Sequence, residues 1–420
     1  MTLRKNFTKG RSMKLSAFSM ALLAFSGTQV ASASLNDSVE KMLKFGQDDA
    51  KYGQVKLDIR LRYENANTQD TTSKAADALT TRFRIGYLSP KLSGFQAYAE
   101  FEANQDIGIN DYKNKRNGSW RKSEYDVIQD PQDTELNRLW LSFDGITDTS
   151  IKVGRQRIKL HNDRFIGNVG WRQMEQTFDS LLLTNKSLAN TTITFGYINQ
   201  VKTIISTTDE MSTPFLNIDY DIAGYGKLSA YGLWMDYTET ANLGKSNQTY
   251  GVRFKGKTKV SEDIKALYTV EYAHQSDYED SPKNYEADYY HVIGGVSAFG
   301  VTLKAGMEQL DGDGTAAFQT PLATAHAFNG WADIFLATPV DGLRDVYGAA
   351  AIKYQGVKFM AVYHDFSDDT GSKDYGNEFD LIVSKKFGKH YSVLAKYANY
   401  NAVEYKNDTQ KFWIQGGIHF

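Results

Sequence analysis

The chain has 420 residues, 48 Lys and Arg against 50 Asp and Glu, and a formal net charge of -2 at pH 7. This balance excludes the strongly basic field that a nucleic-acid partner requires, and the absence of cysteine excludes disulfide frameworks, thiol nucleophiles and cysteine-based zinc sites. Aromatic residues make up 13% of a chain that is only 41% hydrophobic, a combination typical of strands that alternate apolar and polar side chains.

The amino-terminal segment has the features of an export signal. Lys9, Arg11 and Lys14 precede the apolar run LSAFSMALLAFSG, and the residues Ala-Ser-Ala at 31–33 have the pattern of a signal-peptidase site. The run is shorter than the ~20 apolar residues of a membrane-spanning helix. We therefore predict a Sec signal peptide over residues 1–33, cleavage after Ala33, and a short periplasmic leader over residues 34–52, where helical spacing in SLNDSVEKMLKFG predicts one helix that Gly46 ends.

Strand periodicity begins after the leader. Leu61 and Tyr63 alternate with Arg60 and Arg62, and the segments TRFRIGY and FQAYAEFE repeat the alternation. Each segment has roughly the ten residues that a tilted strand needs to cross a bilayer. The last segment, KFWIQGGIHF, ends on a bare aromatic residue, Phe420, which a lipid-facing closing strand would accommodate.

The connections between these segments alternate between short turns and long polar loops, and they separate about eighteen strands. An even number returns both chain ends to one side of a closed sheet. We predict an all-β fold: a single transmembrane antiparallel β-barrel over residues 53–420, with short periplasmic turns and long extracellular loops, in the outer membrane of a Gram-negative cell. Its partner would be outer-membrane lipid, and no cofactor is indicated.

One stretch breaks the alternation. Ile151 and Val153 have one parity, whereas Ile158 and Leu160 have the other. Both pairs can face lipid only if one residue is inserted between them, and Gly154 is the natural site for such a β-bulge. The bulge would turn the next basic residues, Arg155, Arg157 and Lys159, into the lumen.

The segment that follows loses strand periodicity. It carries Arg164 and Arg172 among several glycines, and it would narrow the pore if it folded inward. The alternative is a solvated surface loop with an ordinary share of arginine. Sequence periodicity does not choose between these two interpretations.

These residues also carry a family resemblance. The segment GRQRIKLHNDRFIGNVGWRQMEQTFD resembles the hallmark segment of the alginate-export family of bacterial outer-membrane porins, and LDIRLRYE, TRFRIGY, SGFQAYAEFE and DPQDTELNRLWLSF are similar to neighbouring family segments in the same order. The similarity is specific over residues 57–183 and is limited to strand rhythm afterwards. It implies an eighteen-stranded barrel whose arginine-lined constriction passes an anionic polysaccharide or its fragments.

The charged residues predicted to face the lumen are mostly basic, which agrees with an anionic solute. The basic set on the early strands and the following loop is Arg60, Arg62, Arg82, Arg84, Arg138, Arg155, Arg157, Lys159, Arg164 and Arg172. Arginine suits a polyanion path because its planar fork binds carboxylates bidentately and keeps its charge. Glu100 and Asp219 also face inward on this parity, so the charges could instead pair with each other and stiffen the wall.

Other functional classes have less support in the sequence. None of the seven histidines has the spacing of a metal pair, and Asp311-Gly-Asp313-Gly lacks the remaining ligands of a calcium loop. No Ser, His and acid cluster is visible at the strand ends. We therefore predict a porin for anionic oligo- or polysaccharide solutes and no enzyme; a general non-specific porin is the alternative, followed by a barrel enzyme or an adhesin.

Overall fold

The computed structural model describes residues 29–116 and 118–420. The predicted signal peptide, residues 1–33, lies mostly outside this part of the chain, so cleavage after Ala33 stays a prediction. Helix α1 spans Gln29–Leu43, and no helix of the described residues is long and apolar enough to cross a membrane. Gly46 has a φ of 80° and donates its N–H to Lys41 O at 2.8 Å, which confirms the predicted helix end.

Eighteen strands form one antiparallel sheet, and two short strands form a separate hairpin in a loop. The strands are β1 Gln54–Thr68, β2 Ala76–Leu88, β3 Phe95–Asp111, β4 Asn114–Arg116, β5 Ser119–Arg121, β6 Asp133–Ile146, β7 Thr149–Gln156, β8 Thr177–Asn185, β9 Thr191–Lys202, β10 Thr208–Ile222, β11 Gly226–Tyr237, β12 Asn247–Lys259, β13 Ile264–Asp277, β14 Glu286–Ala298, β15 Val301–Leu310, β16 Leu343–Tyr354, β17 Val357–Ser367, β18 Asp374–Phe387, β19 Tyr391–Ala402 and β20 Thr409–His419. The hairpin consists of β4 and β5.

The sheet closes into a barrel because its last strand pairs with its first. The register of β20 on β1 runs from Asp58 opposite His419 to Thr68 opposite Thr409. Beyond it, Leu57 and Phe420 exchange two backbone hydrogen bonds of 2.9 and 2.8 Å. Closure leaves no unpaired strand edge in the hydrocarbon region, which a bilayer-spanning sheet requires. The predicted closing role of the last strand is therefore confirmed.

The two ends of the barrel differ as predicted. Connections at one end are short turns, such as residues 147–148, 299–300 and 355–356. Connections at the other end include the long segments 112–132, 157–176 and 311–342. The leader helix lies at the short-turn end, where Asn36 accepts a hydrogen bond from Tyr391 at 2.7 Å.

The alternation within strands sorts side chains between lipid and lumen. On β2, Phe83 and Ile85 are 40% and 43% exposed, whereas Arg82 and Arg84 are 1% and 5% exposed. An exposed apolar outer face and a buried charged inner face are the pattern of a membrane barrel. The same parity holds on the other wall strands.

The predicted β-bulge at Gly154 is wrong. The ladder runs without interruption through Gly154, which pairs with Trp140 of β6 and Ser180 of β8. Gly154 has a φ of 114°, and a Cβ at this position would lie 2.3 Å from Leu139 O, so the glycine permits close approach of β6. Strand β7 ends at Gln156, and Ile158, predicted to face lipid, is 2% exposed in the interior.

Candidate functional site

Residues 157–176, which connect β7 to β8, fold into the lumen. Ile158, Ile166 and Met174 of this loop are at most 2% exposed. The barrel wall holds the loop backbone, since Arg60 of β1 donates through Nη1 to Trp171 O at 2.9 Å. The inward position decides between the two interpretations that the sequence left open.

A second connection, residues 311–342 between β15 and β16, packs onto the first inside the barrel. Ile166 forms a parallel β-bridge with Leu322, and the N–H of Gly167 donates to Leu322 O at 2.9 Å. Arg164 donates through Nη2 to Asn329 Oδ1 at 3.0 Å. The two loops therefore form one inward unit, which we call the loop pair.

Trp171 anchors the loop pair to the barrel wall on both sides of the junction at which β20 pairs with β1. Its ring stacks on that of His326 with centroids 4.5 Å apart. The guanidinium carbon of Arg62 lies 4.1 Å from the Trp171 ring, and Lys396 Nζ of β19 lies 4.4 Å from it. Lys396 also lies 3.7 Å from the ring of Trp331. Such desolvated cation–π contacts contribute about 2 kcal/mol each.

Arginines of β2, β6 and the inward loop form ion pairs with carboxylates. These pairs are Arg82 with Asp58, Arg84 with Glu102 at 2.6 Å, Arg138 with Glu100 at 2.6 Å, and Arg157 with Glu175 at 2.6 Å. The side chains of Glu100 and Glu175 are 5% and 0% exposed, whereas those of their partners Arg138 and Arg157 are 17% and 32% exposed. In these two pairs the carboxylate is therefore buried in the wall, and the guanidinium group is the part exposed to the lumen.

Arg172 ties the loop pair together through carboxylates. Its Nη1 lies 3.1 Å from Glu64 of β1, and its Nη2 lies 3.1 Å from Asp333 of the other loop. Burial would lower the pKa of Arg172, but Glu64, Asp130 and Asp333 raise it above its ordinary value. His326 donates from Nδ1 to a carboxylate oxygen of Asp333 at 2.6 Å, and burial lowers the pKa of this imidazole to about 3. The imidazole is therefore neutral near pH 7.

Two cavities lie between the loop pair and the short-turn end. The smaller, about 340 Å³, is lined by the cations Lys56, Arg84, Arg138 and Arg157 and the carboxylates Asp58 and Glu100. The larger, about 1170 Å³, is lined by five Lys and Arg side chains against four carboxylates, with an apolar wall that includes Met360 and Val362. Both cavities thus present more cationic than anionic side chains.

A protein-family model described as alginate export matches residues 51–305, more than half of the chain. The chain belongs to the alginate export family. No curated protein matches it.

Solved structures with the same architecture come from outer-membrane porins. OccAB2 of Acinetobacter baumannii has a TM-score of 0.71 at 15% identity, covering 89% of this chain and 99% of that one. Pseudomonas aeruginosa OpdK, determined with vanillate, has a TM-score of 0.68 at 12% identity, covering 87% and 98%. OpdL of Pseudomonas aeruginosa has a TM-score of 0.69 at 13% identity, covering 88% and 98%. The alginate-export-family chain is therefore an outer-membrane barrel with the fold of porin channels.

In this family member most of the predicted site residues meet at the loop pair. Those on the lumen wall are Arg60, Arg62, Arg82, Arg84, Glu100, Arg138 and Asp219, and those on the inward loop are Arg157, Lys159, Arg164 and Arg172. Arg164 lies 3.0 Å from Glu308, and Lys159, with a side chain 56% exposed, lies 3.0 Å from Asp163. Asp219 lines the larger cavity and accepts a hydrogen bond from Ser229 at 2.6 Å.

Arg155 is the exception, and its predicted lumen position is wrong. Its ladder neighbours are Leu139 and Asp179, and Leu139 and Val153, of the same parity, are 52% and 50% exposed. Arg155 therefore lies on the outer face, where its Nε and Nη2 each contact an Asp179 carboxylate oxygen at 2.7 Å. The prediction failed because it required a bulge that the ladder lacks.

A group of lysines near the short-turn end was not predicted. On β12, Lys255 and Lys257 share the parity of buried Arg253 and not that of Val252, which is 51% exposed. The same inward parity on β12 to β17 defines the group that we call the lysine belt: Lys255, Lys257, Lys259, Lys265, Lys304, Lys353 and Lys358. The signal was present in RFKGKTK, where basic residues recur at every second position.

Proposed function

We propose that this outer-membrane porin passes anionic hydrophilic solutes, in particular carboxylated oligo- or polysaccharides, through an arginine-lined constriction. One observation carries the proposal: Glu175 is 0% exposed behind Arg157, whose own side chain is 32% exposed toward the smaller cavity. An anion in that cavity meets the guanidinium group before the carboxylate.

The geometry of Arg157 suits carboxylate recognition. It contacts Glu175 through Nε and Nη2, so its Nη1 edge faces away from that carboxylate. Arginine keeps its charge and can bond a second acceptor from this edge. Vanillate, the compound in the OpdK structure, is itself a carboxylate. A carboxylate is therefore the solute class that we propose for this chain.

Ion selectivity in a planar bilayer tests the proposal. We expect a reversal potential that indicates anion preference in a KCl gradient and that weakens as salt rises, because screening reduces the field of the guanidinium groups. The double substitution Arg138→Gln and Arg157→Gln should shift the reversal potential toward cations. It should also weaken block by oligogalacturonate, since each lost charge-assisted contact is worth on the order of 1 to 3 kcal/mol.

Arg155→Gln is the matched control. It removes one guanidinium charge from the outer face, so selectivity should not change. A wild-type pore that prefers cations, or a double variant that matches wild type in both selectivity and block, would support a general non-specific porin instead.

A further inference from the structure

Within the part of the chain that the structure describes, the lysine belt lacks the carboxylate partners that the arginines of β2, β6 and the inward loop have. None of its seven members lies within 4.0 Å of a carboxylate oxygen of residues 29–116 and 118–420. Two pairs of like charges lie directly opposite each other across strands, Lys259 with Lys265 and Lys353 with Lys358. Like charges in such positions destabilise a sheet. A structural role therefore does not account for the belt.

The belt faces the lumen and not the membrane. The outward neighbours of its members include Leu303, Ile352 and Phe359, which are 50%, 42% and 39% exposed. Lipid head groups are therefore on the other side of the wall. Lys257 and Lys304 also line the larger cavity, so the belt continues from the short-turn mouth into the lumen.

The spacing of the belt exceeds the reach of a small anion. Neighbouring strands lie about 4.8 Å apart, so β12 and β17 are about 24 Å apart along the wall. Successive inward-facing residues on one strand, i and i+2, lie about 6.8 Å apart. A single carboxylate reaches one or two lysines. A chain with a charge at each unit contacts several at once, and its affinity rises through multivalency.

We infer that the lysine belt is a docking site for a linear polyanion at the periplasmic mouth of the barrel. The inference rests on the proposed function in one respect, that anionic solutes enter this lumen, and it adds that the preferred solute carries several charges and meets these lysines first. A polyanion that enters from the opposite mouth must first pass the inward connection of residues 311–342, which carries four Asp and no Lys or Arg, before it reaches the belt.

Channel block from each side separately tests the inference. The chain has no cysteine, so Ser281→Cys in the long connection between β13 and β14 provides a single label that reports the orientation of each inserted barrel. Octagalacturonate added on the periplasmic side should block at concentrations about tenfold lower than on the extracellular side. Galacturonate monomer at equal total charge should show no such difference, because it cannot engage several lysines.

The triple substitution Lys257→Gln, Lys304→Gln and Lys358→Gln should abolish the side difference, raising the periplasmic blocking concentration about tenfold. The matched control, Lys51→Gln, Lys186→Gln and Lys389→Gln, removes three exposed charges from the leader and the short turns and should leave it unchanged. Equal block from both sides, or a triple variant that behaves as wild type, overturns the belt as a docking site even if the pore prefers anions. A cation-preferring pore overturns the proposed function, and binding of fluorescent octagalacturonate to wild type and triple variant in nanodiscs then decides the belt separately.

Discussion

Replacing Arg172 by Ala should loosen the loop pair and raise the conductance of the channel. Arg172 contacts Glu64 on the wall and Asp333 on the partner loop at 3.1 Å each, and all three side chains are at most 8% exposed. Removing the cation leaves three buried carboxylates, those of Glu64, Asp130 and Asp333, with fewer partners. Breaking a buried pair in this way costs about 3 to 5 kcal/mol.

The lower limit applies here because each carboxylate keeps another cation. Asp333 still contacts Lys411 at 2.8 Å, and Arg62 still lies 4.0 Å from Glu64 and 3.7 Å from Asp130. A loss of about 3 kcal/mol raises the population of the displaced loop by roughly two orders of magnitude, since about 1.4 kcal/mol corresponds to a factor of ten. The remaining anchors at Trp171 should still hold the loop most of the time.

Single-channel recording at fixed voltage measures this directly. Wild type should show one steady low conductance, whereas Arg172→Ala should show frequent brief steps to a higher level. Arg172→Lys, which keeps one cation, should be intermediate, and Arg155→Ala should match wild type because Arg155 lies on the outer face. Identical open-level statistics for wild type and Arg172→Ala would refute the role of the loop pair as the constriction.

Three further predictions concern assembly, pH and maturation. Gly154→Ala should lower the yield of the compact, heat-modifiable form on gels, because its Cβ would lie 2.3 Å from Leu139 O at a φ of 114°; a normal yield would contradict the close approach of β6. The pKa of His326 is lowered to about 3 from an ordinary 6.5, so its contribution to holding the loop pair is complete above pH 6.5 and is lost as the pH falls toward 3. High-conductance steps should therefore increase on acidification from pH 7 to 4, and the increase should be smaller in His326→Gln. Equal pH profiles for the two proteins would exclude this histidine as the cause. Amino-terminal sequencing of the outer-membrane form should begin at Ser34, and a form that retains Lys14 would contradict the assigned cleavage site.

The sequence alone determined the barrel and the sidedness of most wall residues. Period-two alternation is a local property, so Arg62 and Arg82 could be assigned to the lumen and Phe83 to the lipid without knowledge of any partner strand. Loop length likewise distinguished the two mouths. The family resemblance agreed with this architecture over the early strands, where the family model also matches.

Alternation fails where a strand ends, and there the tertiary structure decided. The sequence does not show that β7 ends at Gln156. The prediction therefore applied strand alternation as far as Ile158, which assigned Arg155 to the wrong face of the sheet. Only the uninterrupted pairing of Gly154 with Trp140 and Ser180 corrects this. Register depends on hydrogen bonds between strands, which a single strand's pattern does not contain.

The contents of the lumen also depend on contacts between distant parts of the chain. Arg164 and Asn329 are 165 positions apart, and no local pattern of residues predicts that their loops meet inside the barrel. Parity placed the arginines of β1, β2 and β6 in the lumen, but whether a carboxylate contacts each of them depends on the fold. The lysine belt arises for the same reason, because lysines on separate strands become one surface only when the sheet sets their strands side by side.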